Sequence, residues 1–238
     1  MRVPSEAASP WDQCAEGLAV RPIASGVRRH DGRIPDRTTH GSGPVLVEDG
    51  ASLSGSEQKS CTGLPVQLKQ ATAEAHKRLD RMIIEWEPFA SLSRYSEFLR
   101  LHDHARRRVV ETFGGFAPHD DWARRAATVQ RGLCRDLRSL GSRGTPATTS
   151  TTWSANSGLG VLYVLEGSLL GGQRLAALVA RTLGPHAPRS FLSSGASPNN
   201  RWQLALAMLS SHRGDTGPVV AAAVTTFDVY LSTFGRVI

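Results

Sequence analysis

Over residues 1–63 polar and apolar positions follow no period, and from Pro65 onward a 3.6-residue beat sets in and holds to the end of the chain. Pro65 suits the first position of a helix. Leu68, Thr72, Ala75, His76, Leu79 and Ile83 then recur on one face. A second helix is predicted from near Ser93, read as its N-cap, with Tyr95, Phe98, Leu99, His102, Ala105, Val109 and Phe113 inward and Gly114-Gly115 as the stop. A third follows Asp120 and turns Trp122, Ala126, Val129, Leu133, Leu137 and Leu140 inward, ending at Gly141. The fourth spans about Ser157 to Leu183 and stops at Gly184-Pro185. A fifth covers roughly Arg201 to His212, and a sixth begins after Pro218. Sustained two-residue alternation is absent, so the expectation is an all-α domain of about six helices over residues 64–238.

Residues 1–63 are rich in Ser, Gly, Pro, Arg and Asp, and "VRRHDGRIPDRTTHGSG" reads as loop throughout. Within them only "PVLVEDG" could pass for a strand, with no evident partner. A disordered N-terminal extension is predicted there. The start of the chain has no apolar stretch of the secretory kind, and no apolar run of eighteen residues is free of charge. No membrane span is expected. Cys14, Cys61 and Cys134 are scattered and odd in number, which suggests neither a disulfide framework nor a zinc site. A cytoplasmic protein is the expectation.

The net charge of +7 is unevenly spread. Residues 1–60 carry seven basic and eight acidic side chains, and residues 61–238 carry the other 21 and 13. A body of about +8 can bind nucleic acid, an anionic membrane surface or an acidic partner. Basic residues are not interleaved with aromatics as in single-strand binders, so nucleic acid is not expected.

Two stretches carry candidate chemistry. In the first helix, His76 sits on the apolar stripe with Thr72, and Lys69 lies two turns earlier, about 10 Å along the axis. A histidine there is most often a satisfied core residue. An imidazole with a cation two turns away would also suit an iron porphyrin, with the nitrogen on iron and the ammonium on a propionate. In the fourth helix, "YVLEGSLLGG" (163–172) places Gly167, Ser168, Gly171 and Gly172 in one compact patch. Glycine costs roughly 1 kcal/mol per interior helix position relative to Ala. Either close helix packing or the approach of a flat ligand would repay that. Glu166, Gln173, Arg174 and Arg181 fall on another stripe, expected to face water. His102 and His104 precede Arg106-Arg107-Arg108, a turn read as a solvated basic face, and are less persuasive as ligands.

Together these stretches resemble a known family. "LKQATAEAH" (68–76) is similar to the proximal helix of haem oxygenases, and "LYVLEGSLLGGQRL" (162–175) to the distal helix of their bacterial, biliverdin-producing, phytochrome-associated members. The resemblance covers about residues 64–234. It implies a helical domain that sandwiches haem, which serves as substrate and cofactor, between two helices. His76 would be the axial iron ligand, with Lys69 and Thr72 on the haem-binding side. Gly167, Ser168, Gly171 and Gly172 would line the oxygen site. The implied reaction uses O2 and an external electron donor to open haem to biliverdin, CO and ferrous iron. The implied partners are an acidic donor, such as a ferredoxin or a reductase, and a phytochrome that receives biliverdin. Ser168 stands where animal-type members have an Asp that anchors a water network. A haem or tetrapyrrole carrier or sensor is the alternative expectation.

Overall fold

The computed structural model describes residues 63–114, 120–146, 155–196 and 200–237. The predicted N-terminal extension and its "PVLVEDG" run lie outside them, as does most of the Ser/Thr-rich loop before residue 155. The described elements are α1 (Leu64–Trp86), α2 (Leu92–Phe113), α3 (Asp120–Ser139), α4 (Ala155–Thr182), a 3-10 turn (Leu192–Gly195), α5 (Arg201–Ser211) and α6 (Gly217–Phe234). No strand occurs among the described residues, so the all-α expectation is met.

Local chemistry sets the ends. Pro65 opens α1, where a missing N–H costs nothing. At α2 the N-cap is Ser91, whose hydroxyl accepts from the Arg94 amide at 3.2 Å, and not the expected Ser93. Ser93 is two residues too late: the first turn is already formed, and only a side chain ahead of it can reach those orphan amides. Gly114 closes α2 at φ 74°, a left-handed conformation that suits glycine. Gly184, at φ 96°, follows α4 in the same way.

Helix α4 is the organising element. It packs most heavily on α6 and on the 3-10 turn, and also on α5. Helix α1 leans on α6 and α5, so α6 serves both α1 and α4. Phe98, Leu99, Val109, Leu133, Leu137, Val161, Val179 and Phe234 are the fully enclosed core where α2, α3, α4 and α6 meet. A second cluster joins Leu64 and Leu68 of α1 to Leu159, Leu206, Leu209, Val219 and Phe227. Among the described helices α6 alone has the length and mean hydropathy (1.2) of a membrane-crossing segment, and half of it is buried in this core.

Polar groups cross-link the apolar layers. Asp103 accepts from Gln130 at 2.6 Å and from the Thr145 amide and hydroxyl at 2.9 and 2.7 Å, tying α2 to α3 and the loop after it. The expected solvated basic face fails here, while the inward placement of His102 holds. Arg106 is buried, and His102 is enclosed by Phe98, Phe191, Tyr230 and Phe234. Neither belongs to a solvated basic face. Arg106 can be inside because Gln130 accepts from its Nε at 3.2 Å and Tyr230 hydrogen-bonds it. His102 can be inside because its ring is neutral: burial, helped by the Arg106 charge, lowers its pKa to about 3.

Candidate functional site

The site begins on the partly exposed face of α1. Thr72 is buried and returns its hydroxyl proton to the Leu68 carbonyl at 2.7 Å, leaving oxygen lone pairs to accept. One turn on, His76 is part-exposed, its side chain 39% accessible. Its ring meets Phe227 of α6 edge-on, with centroids 5.6 Å apart. Its Nδ1 lies 3.1 Å from Oδ2 of Asp80, whose side chain is 11% accessible. An ionised carboxylate only accepts, so in the neutral ring the proton sits on Nδ1 and the lone pair on Nε2. That is how a histidine is oriented when Nε2 is to bind a metal. Among the described residues no group of three or more His, Cys, Asp or Glu side chains could hold a metal ion. Coordination here would have to come from His76 with a ligand that brings its own remaining donors, as a porphyrin does.

The glycines of α4 divide by their surroundings. A Cβ placed on Gly167 would meet only two ring atoms of Trp202, at 3.5 and 3.6 Å, an ordinary contact distance. One on Gly172 would fall 2.7 Å from the Leu192 carbonyl oxygen, so Gly172 is where the 3-10 turn presses on the helix. Gly171 is buried between them. Ser168 is half-buried, and its hydroxyl donates to the Leu165 carbonyl of its own helix at 2.8 Å. Its proton is thus held by the backbone, and only its lone pairs face outward chemistry.

Two side chains link the walls. The hydroxyl of Tyr163 (α4) hydrogen-bonds Thr72 (α1), and burial raises the Tyr163 pKa while that bond opposes the rise. The Tyr163 ring lies 5.6 Å from that of Trp202 (α5), and Trp202 faces Gly167. The structure thereby brings Thr72, Tyr163, Trp202 and Gly167 into one run of contacts, with His76, Asp80 and Phe227 on the adjoining turn of α1 and on α6. Lys69 is exposed one turn before Thr72. Gly172 belongs to the packing on the other side.

Sequence reasoning missed Asp80, Phe227, Tyr163 and Trp202. Asp80 had a signal, its i+4 spacing from His76, and Tyr163 lies inside the stretch that drew attention. Trp202 and Phe227 arrive from other helices, and no local pattern announces them. Glu166 is a correction: expected in water, it is 7% exposed and paired with Arg125 of α3 at 3.3 Å. Amphipathic reading places every charge outside, and a buried partner from another helix defeats it.

No family model matches the chain, and neither does any curated protein. Among solved structures, the NO- and CO-bound haem oxygenase from Neisseria meningitidis is similar at 22% identity, with a TM-score of 0.48, over 73% of this chain and 92% of that one.

Proposed function

We propose that this protein is a haem oxygenase that takes haem between α1 and α4 and opens the ring to biliverdin, CO and ferrous iron. The observation that carries the reading is His76, partly exposed and held through Nδ1 by Asp80, on the helix that Tyr163 joins to the glycine segment. The stretches "LKQATAEAH" and "LYVLEGSLLGGQRL" support it independently.

Bound haem would supply the redox iron and the ring to be cleaved. The protein's part is orientation and exclusion. Asp80 fixes the orientation of the His76 ring, whose Nε2 is the proposed iron ligand. Gly167 presents backbone without a side chain, which lets a flat ring lie close and leaves no Cβ in the oxygen site. Gly171, one turn on, has the same proposed role. Tyr163 and Trp202 wall the space with apolar surface and keep water from the reacting edge. Lys69 is the proposed cation for a propionate carboxylate, reached along a flexible stem. Thr72 holds Tyr163 in place. The basic body, about +8 over residues 61–238, is proposed to receive an acidic electron donor in the cytoplasm, and a phytochrome is the proposed acceptor of biliverdin.

One observation favours a second reading, a haem carrier or sensor. The Ser168 hydroxyl donates to Leu165, so the residue standing where animal-type members have an Asp has no proton to spare.

Haem titration of the wild type and of His76→Ala tests the ligand. The wild type is expected to bind one haem with the Soret band of a histidine-ligated iron. The variant is expected to keep its helicity and lose that band. Identical spectra from the two proteins would remove His76 from the site.

A further inference from the structure

Behind the proposed haem face, the same segment of α4 carries a charged group that the reaction does not use. Glu166 Oε1 accepts from Arg125 Nε at 3.3 Å, with the two side chains 8% and 11% accessible. Arg125 Nη2 also donates to the Ser194 carbonyl at 2.6 Å, on the 3-10 turn. That turn already presses on α4 at two points. A Cβ on Gly172 would strike the Leu192 carbonyl, and one on Gly195 would strike the Leu169 carbonyl. Arg125 therefore joins α3, α4 and the turn one residue before Gly167.

A buried ion pair adds little net stability, because both charges must leave water; apolar side chains of similar volume commonly do as well or better. What the pair does supply is one permitted geometry, since an arginine fork holding a carboxylate and a carbonyl tolerates little displacement. The segment beside it needs that from outside. With glycine at 167, 171 and 172, few of its own side chains can anchor its path, and a helix of this composition bends easily. Packing alone does not close the gap either: a cavity of about 10 Å³ lies here, lined by Arg106, Glu166 and Leu169 among apolar neighbours.

We infer that Arg125 and Glu166, with the Ser194 carbonyl, are positioning residues that fix the path of the glycine segment 167–172. The consequence for catalysis rests on the haem oxygenase reading; the mechanical claim does not.

The test is amide hydrogen exchange on the full chain without haem, for the wild type, the double variant Arg125→Met/Glu166→Met, Glu166→Gln and Arg125→Lys. The double variant is expected to melt at the wild-type temperature or above, while amides 166–173 exchange at least about tenfold faster and those of α1 do not change. Arg125→Lys keeps a cation and a donor and is expected to retain part of the protection. If the double variant does not fold, Glu166→Gln, which keeps the volume but leaves the Arg125 charge uncompensated, is expected to melt lower and to show the same faster exchange over 166–173 with α1 unchanged. In haem-loaded protein, kcat should fall about tenfold or more with KM unchanged, the mark of lost positioning. A folded double variant or Glu166→Gln with unaltered exchange over 166–173 overturns the inference. A wild type that binds no haem would sink the haem oxygenase reading and leave the exchange result to decide the clamp by itself.

Discussion

The glycines of α4 serve opposite purposes. At the closed positions, Gly160 and Gly172 let other backbones in: a Cβ on Gly160 would collide with the Val219 carbonyl of α6, and one on Gly172 with that of Leu192. At the open position, two turns from Gly160 on the same stripe, Gly167 meets only the edge of Trp202 at van der Waals distance. The closed glycines are explained by packing. Gly167 is not, because its site has room for a methyl group and pays the helix penalty anyway. A glycine patch read as one feature hides this, and the space a Cβ would find separates the two kinds.

The histidines show the same contrast. His102, in the closed core, is ringed by four aromatic side chains, and its Nδ1 is buried without a hydrogen-bond partner. His76, on the partly exposed face of α1, is accessible and held by a carboxylate. One is a neutral filler of the core, and the other is the proposed ligand of the haem iron.

Substitutions break the comparison in order of size. Gly160→Ala should cost about 3 kcal/mol of unfolding free energy, because backbone must move to admit the methyl. Gly172→Ala should cost about 2 kcal/mol, its obstacle a single carbonyl 2.7 Å away. Urea unfolding of both, with unchanged m-values, checks these figures. An alanine tolerated at either position would remove it from the closed positions as described.

The histidine contrast sharpens with acid. With its folded pKa near 3, below the usual 6.5, His102 takes up a proton on unfolding throughout that window. The native state therefore has its full advantage above pH 6.5 and loses up to about 1.4 kcal/mol per pH unit as pH falls from 6.5 toward 3. His102→Leu should remove that slope, so the stability difference between the two proteins changes steadily between pH 6.5 and 4. Parallel curves would show that His102 is not buried neutral.

Gly167→Ala has the smallest expected effect on stability. It should stay within about 1 kcal/mol and can be favourable, since Ala is the better helix former. Its effect on haem turnover should be large, because the added methyl enters the proposed oxygen site. A destabilised protein with a normal biliverdin yield would move Gly167 to the closed positions.

Most of the fold is legible in the sequence because its helices are amphipathic over long runs and end at glycine or proline. Leu68, Thr72, Phe98, Leu99, Val129, Leu133 and Leu137 were placed inside by spacing alone, and all are buried. What escaped the pattern is polar and tertiary. Glu166 and Arg106 are inside because Arg125, Gln130 and Tyr230 meet them there, and those partners come from distant parts of the chain. The candidate site divides in the same way. His76 and Gly167 stand out as misfits in apolar helices, and Asp80 follows from its spacing. Trp202, which lines Gly167, becomes visible only when α5 is packed.

The central claim is that the open position of α4 and the His76 face of α1 hold haem for cleavage, and one experiment meets it head on. The full chain is reconstituted with haem, and its optical spectrum is followed in air as a reductant is added. The account predicts that the Soret band decays while the broad red absorption of biliverdin grows toward one equivalent per haem, with CO released in equal amount. A Soret band that survives repeated reduction in air, with no biliverdin and no CO, would contradict it and leave a protein that carries haem without degrading it.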